Sequence, residues 1–524
     1  MLEAYSEAAS QLFTPLPMLA LFAGVALGLV SGAMPAGGLP VLVVLLGFAY
    51  YLDPFIAIPI AIGHMAVNGT SDTIPSVLLG IPGSNSSQAT ILDGYPMAQK
   101  GLAGQALAAA YTASVIGGII GAIGLALSIP VAKIVLRQFG SPEFFMMGMV
   151  GIAIVGVVSS GALVKGLLSA AFAMAISTVG YDVVTGITRF TFGNVYLYDG
   201  FPLIPVIVGL FAIPELLNLI VSDSSVVRKR ADAMVTDVNK GRGEGIRAAF
   251  RYKFLVLRSS LIGLFVGMLP GVGGTAAHWM AYASARQTEP GAEETFGTGD
   301  IRGVIAPESA NNSIDGGVLI PTLTLGIPGS GGTAIMLGFF ILLGITPGPD
   351  MLEQHLDITA LIALSLVLAN IIAAGVALLL TPQLAKISLV RPNVLVPIVL
   401  AVLTISAFQA TRSVGDLVVV GLFTGLGVFM KRYGWPRPPI IVALVLSPQL
   451  SKYMWISLNT YGASMLLRPQ SGIILAVAVV SVAFTLRSQM RLAQKQQEMV
   501  ASSMSAGGLV GPATLTTEDD APDG

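Results

Sequence analysis

The sequence predicts an all-α polytopic membrane protein of about 10–12 transmembrane helices. They are arranged as two inverted repeats, each with a re-entrant hairpin broken by proline and glycine. Three observations predict this. Of 524 residues, 54% are hydrophobic and only 10% charged, with a mean hydropathy of +0.81. Glycine (61) and proline (31) are abundant inside apolar sequence. Two motif pairs recur in the same order along the chain.

The composition comes first. Soluble domains carry nearer a quarter of charged residues, and a soluble chain this apolar would have more core than surface to cover it. A spanning helix needs ~20 mostly apolar residues. Met18–Met34, Ile116–Ala132, Leu203–Val221, Ile358–Leu380 and Ile473–Leu486 are such runs. Broken backbone at membrane depth is tolerated only where protein buries it or it lines a cavity, so the glycine and proline content favours a transporter over a simple anchor. There is no cysteine, which excludes disulfides, thiolate metal sites and cysteine nucleophiles. No basic patch suits nucleic acid. The N-terminus has no basic region before its apolar run, so a cleavable signal is not expected.

The repeat comes next. Gly28-Leu-Val-Ser-Gly32-Ala-Met-Pro35-Ala-Gly37-Gly38 returns 235 positions later as Gly263-Leu-Phe-Val-Gly267-Met-Leu-Pro270-Gly-Val-Gly273-Gly274. Ile74-Pro75-Ser-Val-Leu-Leu-Gly80-Ile81-Pro82-Gly83-Ser84 returns 246 positions later as Ile320-Pro321-Thr-Leu-Thr-Leu-Gly326-Ile327-Pro328-Gly329-Ser330. The extra residues of the second half are expected within 287–303. Lysine and arginine then orient the halves. None precedes the first half, and the first basic residue is Lys100. Residues 222–258 hold Arg228, Lys229, Arg230, Lys240, Arg242, Arg247, Arg251, Lys253 and Arg258, which makes that loop cytoplasmic. The halves then enter from opposite sides, as in many secondary transporters. Arg487, Arg491 and Lys495 put the C-terminus inside. The expected organisation is an N-terminal segment (1–14), a first repeat (15–221), a basic cytoplasmic loop (222–253), a second repeat with C-terminal helices (254–486) and a disordered tail (487–524).

The chemistry is expected at the breaks. In Thr73–Ser84 and Leu319–Ser330 two prolines flank a run too short to span, and Pro-Gly stops the helix. Each reads as one arm of a re-entrant hairpin with its tip near the bilayer midplane. Freed N–H groups and a half-helix dipole at such a tip suit an anion. Freed carbonyls and the Ser84 or Ser330 hydroxyl suit Na⁺. Polar side chains lie just upstream: His64, Asn68, Thr70, Ser71 and Asp72 before the first tip; Glu308, Ser309, Asn311, Asn312, Ser313 and Asp315 before the second. At membrane depth such groups are costly and usually functional, although Ser and Asn also join helices, and for His64 a structural role is an equal alternative. The expected substrate site is Pro35, Asn68, Gly80, Pro82, Gly83, Ser84, Asn311, Asn312, Gly326, Pro328, Gly329 and Ser330. The expected ion site is Ser71, Asp72, Ser87, Thr322 and Thr333, taking Na⁺ and no transition metal.

Other motifs carry less. The turns at Pro35 and Pro270 lack the lysine and strand–helix context of a phosphate loop. Asp93-Gly-Tyr-Pro reads as a polar turn closing the first hairpin. His278 beside Trp279 reads as packing. Arg189, Arg302, Arg412 and Arg468 sit at ends or loops, where snorkelling explains them. No nucleophile–base set is visible, so an enzyme is not expected.

These motifs carry a resemblance. Leu79-Gly-Ile-Pro-Gly-Ser84 with Ala89-Thr-Ile-Leu-Asp-Gly-Tyr-Pro-Met-Ala98, Pro270-Gly-Val-Gly-Gly274, and Ala306-Pro-Glu-Ser-Ala-Asn-Asn312 leading to Gly326-Ile-Pro-Gly-Ser330 resemble the large membrane subunit (TctA type) of tripartite tricarboxylate transporters. The likeness spans roughly Gly24 to Arg468. It implies a permease of the bacterial cytoplasmic (inner) membrane for carboxylate anions of the tricarboxylate/dicarboxylate class, such as citrate. It also implies a small membrane subunit (TctB type), a periplasmic solute-binding protein (TctC type), and symport driven by an ion gradient, often sodium, with no other cofactor. The second tip reads Ser330-Gly-Gly-Thr333 where the first reads Ser84-Asn-Ser-Ser87, so the two tips are not equivalent. The expected mechanism is alternating access of elevator type, with a homodimer left open. The competing reading is a passive anion channel or docking scaffold.

Overall fold

The computed structural model describes residues 1–476 except 35–37, 50, 85–86, 161–162, 183, 222–237, 270–272, 391, 473 and 475. Pro35 of the expected substrate site, the Pro270 turn, the first half of the basic loop (222–237) and the tail at 487–524 therefore lie outside the described residues.

Helix dominates. A first series comprises α1 (Leu2–Leu12), α2 (Pro15–Gly32), α3 (Gly38–Ala49), α4 (Pro54–Ser71), α5 (Thr73–Leu79), α6 (Gln88–Gln99) and α7 (Ala103–Leu136). Next come α8 (Ser141–Ser160), α9 (Leu163–Ser177), α10 (Leu203–Ile207) and α11 (Ile213–Val221), with a π-helical turn at Val208–Ala212 between the last two. A second series comprises α12 (Arg242–Arg251), α13 (Lys253–Gly267), α14 (Gly273–Thr288), α15 (Ala292–Thr295), α16 (Ile301–Leu325), α17 (Gly331–Leu342), α18 (Pro349–Glu353) and α19 (Leu356–Ile387). The described chain closes with α20 (Pro392–Phe408), α21 (Val414–Arg432) and α22 (Pro438–Tyr461). The strands among the described residues are one antiparallel pair, Gly180–Tyr181 with Thr188–Arg189.

Among the described residues five helical segments are long and apolar enough to cross a membrane: Pro15–Gly32, Ala103–Leu136, Leu356–Ile387, Val414–Arg432 and Pro438–Leu466. Five shorter apolar helices accompany them, including Gly38–Ala49 and Gly331–Leu342. Leu203–Asn218 is one of these shorter helices and runs through the π-helical turn. Outer faces present Leu127, Ile134, Leu379 and Leu422 to the surroundings, a covering that suits lipid. The protein is an all-α, multi-pass membrane protein.

Helix starts follow local chemistry. Asp53 caps α4 by accepting from Phe55 N at 2.8 Å, with Pro54 at the first position. Asp300 caps α16 by accepting from Arg302 N at 2.9 Å. Both are favoured N-terminal arrangements.

The two series meet at matching points. A Cβ on Gly28 of α2 would stand 2.7 Å from the His64 carbonyl of α4; one on Gly263 of α13 would stand 2.5 Å from the Ala310 carbonyl of α16. The partners, like the second motif pair, are 246 positions apart, while the glycines themselves are 235 apart. The long helices are exchanged between series. α7 lies on α16, where Gly117 admits the Ser309 carbonyl at 2.1 Å from a Cβ position, and α19 lies on α4. At the centre, α16 is buried except at Ile301, Arg302, Asp315 and Leu325. A helix bearing Glu308, Ser309, Asn311, Asn312, Ser313 and Asp315 is held there by its neighbours, since its composition would not hold it in lipid.

Candidate functional site

Each series breaks its central helix in the same way. Gly80 ends α5 at φ +65° and Gly326 ends α16 at φ +68°, a left-handed terminus that glycine adopts without strain. Ile81 N then donates to Pro75 O at 3.4 Å, and Ile327 N to Pro321 O at 3.2 Å. The chain doubles back so closely that Gly83 lies on Asp72 and Gly329 on Val318. A Cβ would stand 2.4 Å from Asp72 O in the first case and 2.7 Å from Val318 Cβ in the second. A new helix starts from each return. Ser84 N donates to Ser87 Oγ at 3.2 Å before α6, and Ser330 N to Thr333 Oγ1 at 2.9 Å before α17.

The depth of the first return follows from its partners. α6 runs antiparallel beside α16, with Thr90 Oγ1 donating to Glu308 Oε1 at 2.6 Å and a Cβ on Gly299 reaching within 3.3 Å of Met97 N. The N-terminal end of α6 therefore lies near Asn311, whose Nδ2 donates to Asp72 Oδ1 at 3.3 Å. α16 has 25 residues, roughly 37 Å at ~1.5 Å each, and Asn311 is close to its midpoint. Val318, under the second return, is seven residues further and hence on the same face, about 10 Å along the axis. The first return thus lies on Asp72 beside Asn311, and the second on Val318, seven residues further along α16.

Two expectations need correction. The segment before the second break is not a short separate arm: Pro321 lies inside the unbroken α16, whose length alone would span. In the first series Asp72 does separate the seven-residue α5 from α4. Asp93-Gly-Tyr-Pro is not a turn but part of α6. Its carboxylate accepts from the N–H groups of Gly297, Gly299 and Asp300 at 2.8–2.9 Å and from the Tyr282 hydroxyl at 2.9 Å. Those outside donors hold the loop before α16 against the helix.

The expected residues fall as follows. Asn68 is half-buried, and its Nδ2 donates to Ser31 Oγ at 3.2 Å, which meets His64 Nε2 at 3.0 Å. Ser71 Oγ donates to Gly28 O at 3.1 Å. Asp72 is buried and accepts from the Ser84 hydroxyl. Asn311 Nδ2 also donates to Gly69 O at 2.8 Å. Asn312 Nδ2 meets Thr70 Oγ1 and Asn370 Oδ1, each at 2.7 Å, and Ala66 O at 3.2 Å. Thr322 Oγ1 donates to Val318 O at 2.5 Å, the counterpart of Ser76 Oγ on Asp72 O at 2.9 Å. Gly80, Pro82, Gly83, Ser84 and Ser87 make up the first return; Gly326, Pro328, Gly329, Ser330 and Thr333 make up the second.

Several participants were not in the expected sets. Glu308, fully buried, accepts from Thr73 Oγ1 at 2.8 Å, from Thr90 Oγ1, and from Ser114 Oγ at 3.2 Å, tying four helices to one carboxylate. Asn370 of α19 fixes Asn312. Phe211, in the π-helical turn, faces Gly331 at the start of α17, and Arg437 Nη1 donates to Leu210 O in that turn at 3.1 Å. Such turns often occur at functional sites. The arginines at ends and loops are engaged locally: Arg302 with Asp300 at 2.7 Å, Arg468 with Glu143 at 2.8 Å, and Arg189 with Asp182.

Comparisons agree with this picture. A family model described as "Tripartite tricarboxylate transporter TctA family" matches residues 18–442. The uncharacterized 52.8 kDa protein of the TAR-I ttuC' 3' region of Agrobacterium vitis is 31% identical over 446 residues, covering 84% of this chain and 87% of that protein. A second Agrobacterium vitis protein, of the TAR-II ttuC' 3' region, is 31% identical over 192 residues, covering 37% of this chain and 79% of that one. No solved structure matches. With the match running through both glycine–proline breaks and the buried polar helix between them, the chain belongs to the TctA family of tripartite tricarboxylate transporters.

Proposed function

We propose that this chain is the large permease subunit of a binding-protein-dependent uptake system, carrying a carboxylate anion of the di- or tricarboxylate class by Na⁺-coupled alternating access. One observation carries the proposal. α6 and α17 begin about 10 Å apart along one face of α16, each preceded by an unwound Gly-Ile-Pro-Gly-Ser segment. Helix N-termini present free N–H groups and the positive end of a dipole, which suit a carboxylate. Two of them along one helix suit a substrate with more than one carboxylate. Asn68, Ser84 and Ser330 are half-buried, and the Asp72 carboxylate bonded to Ser84 suits the coupling ion.

The matched packing of the two series and the one-sided basic residues support inverted repeats, with the N-terminus periplasmic and the C-terminus cytoplasmic in an inner membrane. The core of α4–α6 and α16–α17 moves against a scaffold from the remaining apolar helices, where a homodimer contact is also placed. A TctB-type membrane subunit and a TctC-type periplasmic binding protein complete the system.

The test is uptake into proteoliposomes containing the partner subunits, screening mono-, di- and tricarboxylates with and without a Na⁺ gradient. Saturable, gradient-dependent uptake with counterflow is expected. Unsaturable flux without counterflow would replace the carrier with a channel. Asn68→Leu and Asn312→Leu should each abolish uptake while membrane insertion is unchanged; near-normal transport by both would remove them from the site.

A further inference from the structure

We infer that the outer groove between α13 and α14 holds an anionic phospholipid, with one acyl chain along its apolar floor and the phosphate at Lys253 and Arg258. The inference rests on the chain being a membrane protein and not on the transport reading.

The groove follows from spacing along the sequence. Phe254, Leu257, Leu261 and Phe265 recur at helical intervals and share one face of α13, and all four are exposed. α14 packs beside α13, and between them lies a groove of about 430 Å³. Its lining is completed by Ile262, Val266 and Met280, with Arg258 as the one charged residue. An exposed apolar strip of this extent marks a contact surface.

Its length fits one leaflet. Phe254 and Phe265 are 11 residues apart, roughly 16 Å at ~1.5 Å each, and half of a ~30 Å hydrocarbon core is ~15 Å. One end lies at the start of α13, on the side of the basic residues 240–258. The other lies beside Gly267, where α13 ends.

Charge marks the first end alone. Lys253 Nζ stands 5.5 Å from the centre of the Phe254 ring, and Arg258 follows about one turn further in. Glu289 Oε1 accepts from Arg258 Nη2 at 3.0 Å, which offsets one of the two cations. Arg258 Nε is buried and has no hydrogen-bond partner. A buried donor in that condition calls for an acceptor, and phosphate oxygens suit a guanidinium. On α12, exposed Arg247 and Arg251 outnumber Glu244. A headgroup with net negative charge offsets this surplus, whereas a zwitterionic one brings a cation of its own.

The test is thermal unfolding of the purified, delipidated full chain in detergent. It is titrated with phosphatidylglycerol, with phosphatidylcholine of the same acyl chains, or with glycerol 1-phosphate. Wild type should show a saturable upward shift of a few degrees, at severalfold lower concentration for phosphatidylglycerol than for phosphatidylcholine, and none with glycerol phosphate. Lys253→Gln and Arg258→Gln should each erase the preference between the lipids. Leu261→Trp, whose ring fills the groove, should weaken the response to both. Lys253 is exposed, so its variant serves if Arg258→Gln does not fold. An equal response of wild type to the two lipids, an unchanged preference in Lys253→Gln, or a response to glycerol phosphate alone would overturn the site. So would a disulfide-linked dimer of Leu261→Cys in membranes, since the chain has no other cysteine and the groove would then belong to a second copy.

Discussion

The two returns are built alike and differ in what lies beneath them. Gly83 rests on the backbone of Asp72; Gly329 rests on Val318. Ser76 and Thr322 make the same bond to the carbonyl below, at 2.9 and 2.5 Å, and both glycines before the returns are left-handed. Backbone geometry is therefore duplicated while charge is not. The first return adds Asp72, bonded to the Ser84 hydroxyl and to Asn311. In the second, Ser330 has no such partner beneath it and instead shares a capping box with Thr333. Under the proposed function, the shared backbone geometry would serve the anion at both returns, and the carboxylate present under the first return alone would serve the cation.

The largest expected effect comes from making the first return resemble the second. Asp72→Val removes the carboxylate and the acceptor for Ser84 and Asn311, so uptake should fall on the order of a hundredfold, with its sodium dependence lost. The reverse change, Val318→Asp, buries a charge without a partner and should cost ~3–5 kcal/mol, read as loss of folded protein at purification. Full sodium coupling in Asp72→Val would make the difference between the returns functionally idle.

A middle-sized effect separates the returns by what a methyl would strike. Gly83→Ala meets backbone at Asp72 O, which cannot be trimmed; Gly329→Ala meets the Val318 side chain as well as its Cα at 2.9 Å. Both should lose ~1–3 kcal/mol of stability, as overpacked sites do. Adding Val318→Ala should recover part of the loss at Gly329, while no substitution at Asp72 should recover Gly83→Ala. Equal rescue at both sites, measured by thermal unfolding, would show that the returns pack more loosely than their distances indicate.

How far this was legible in the sequence depends on which contacts are local. Gly80 and Gly326 announce their left-handed ends, and the 246-residue spacing announces the matched returns, because a glycine–proline break acts within a few residues. The continuity of α16 was not legible. Pro321 is a stop signal locally, and only burial by α7, α13 and α14 holds the helix through it. Asp93 misled for the complementary reason: Asp-Gly-Tyr-Pro has turn composition, yet its carboxylate is satisfied from the loop at 297–300 and the helix persists. Asn311 and Asn312 were visible as polar amides, but which way each is turned depends on distant partners: Gly69 and Asp72 for Asn311, and Asn370, 58 residues away, for Asn312. No local pattern contains that. Glu308 was equally opaque, since its three hydroxyl donors come from three other helices.

The smallest effect tests the hydroxyls on which the two returns differ. Ser330→Ala should cost ~1 kcal/mol through loss of a helix cap and leave the sodium concentration for half-maximal uptake unchanged. Ser84→Ala removes a donor to Asp72, so the carboxylate binds a cation with less competition, and half-maximal sodium should fall severalfold while substrate half-saturation holds within about twofold. The sign matters here. A rise in half-maximal sodium would mean that the Ser84 hydroxyl is itself a ligand. Equal shifts in both variants would mean that the cation lies between the returns and not beneath the first.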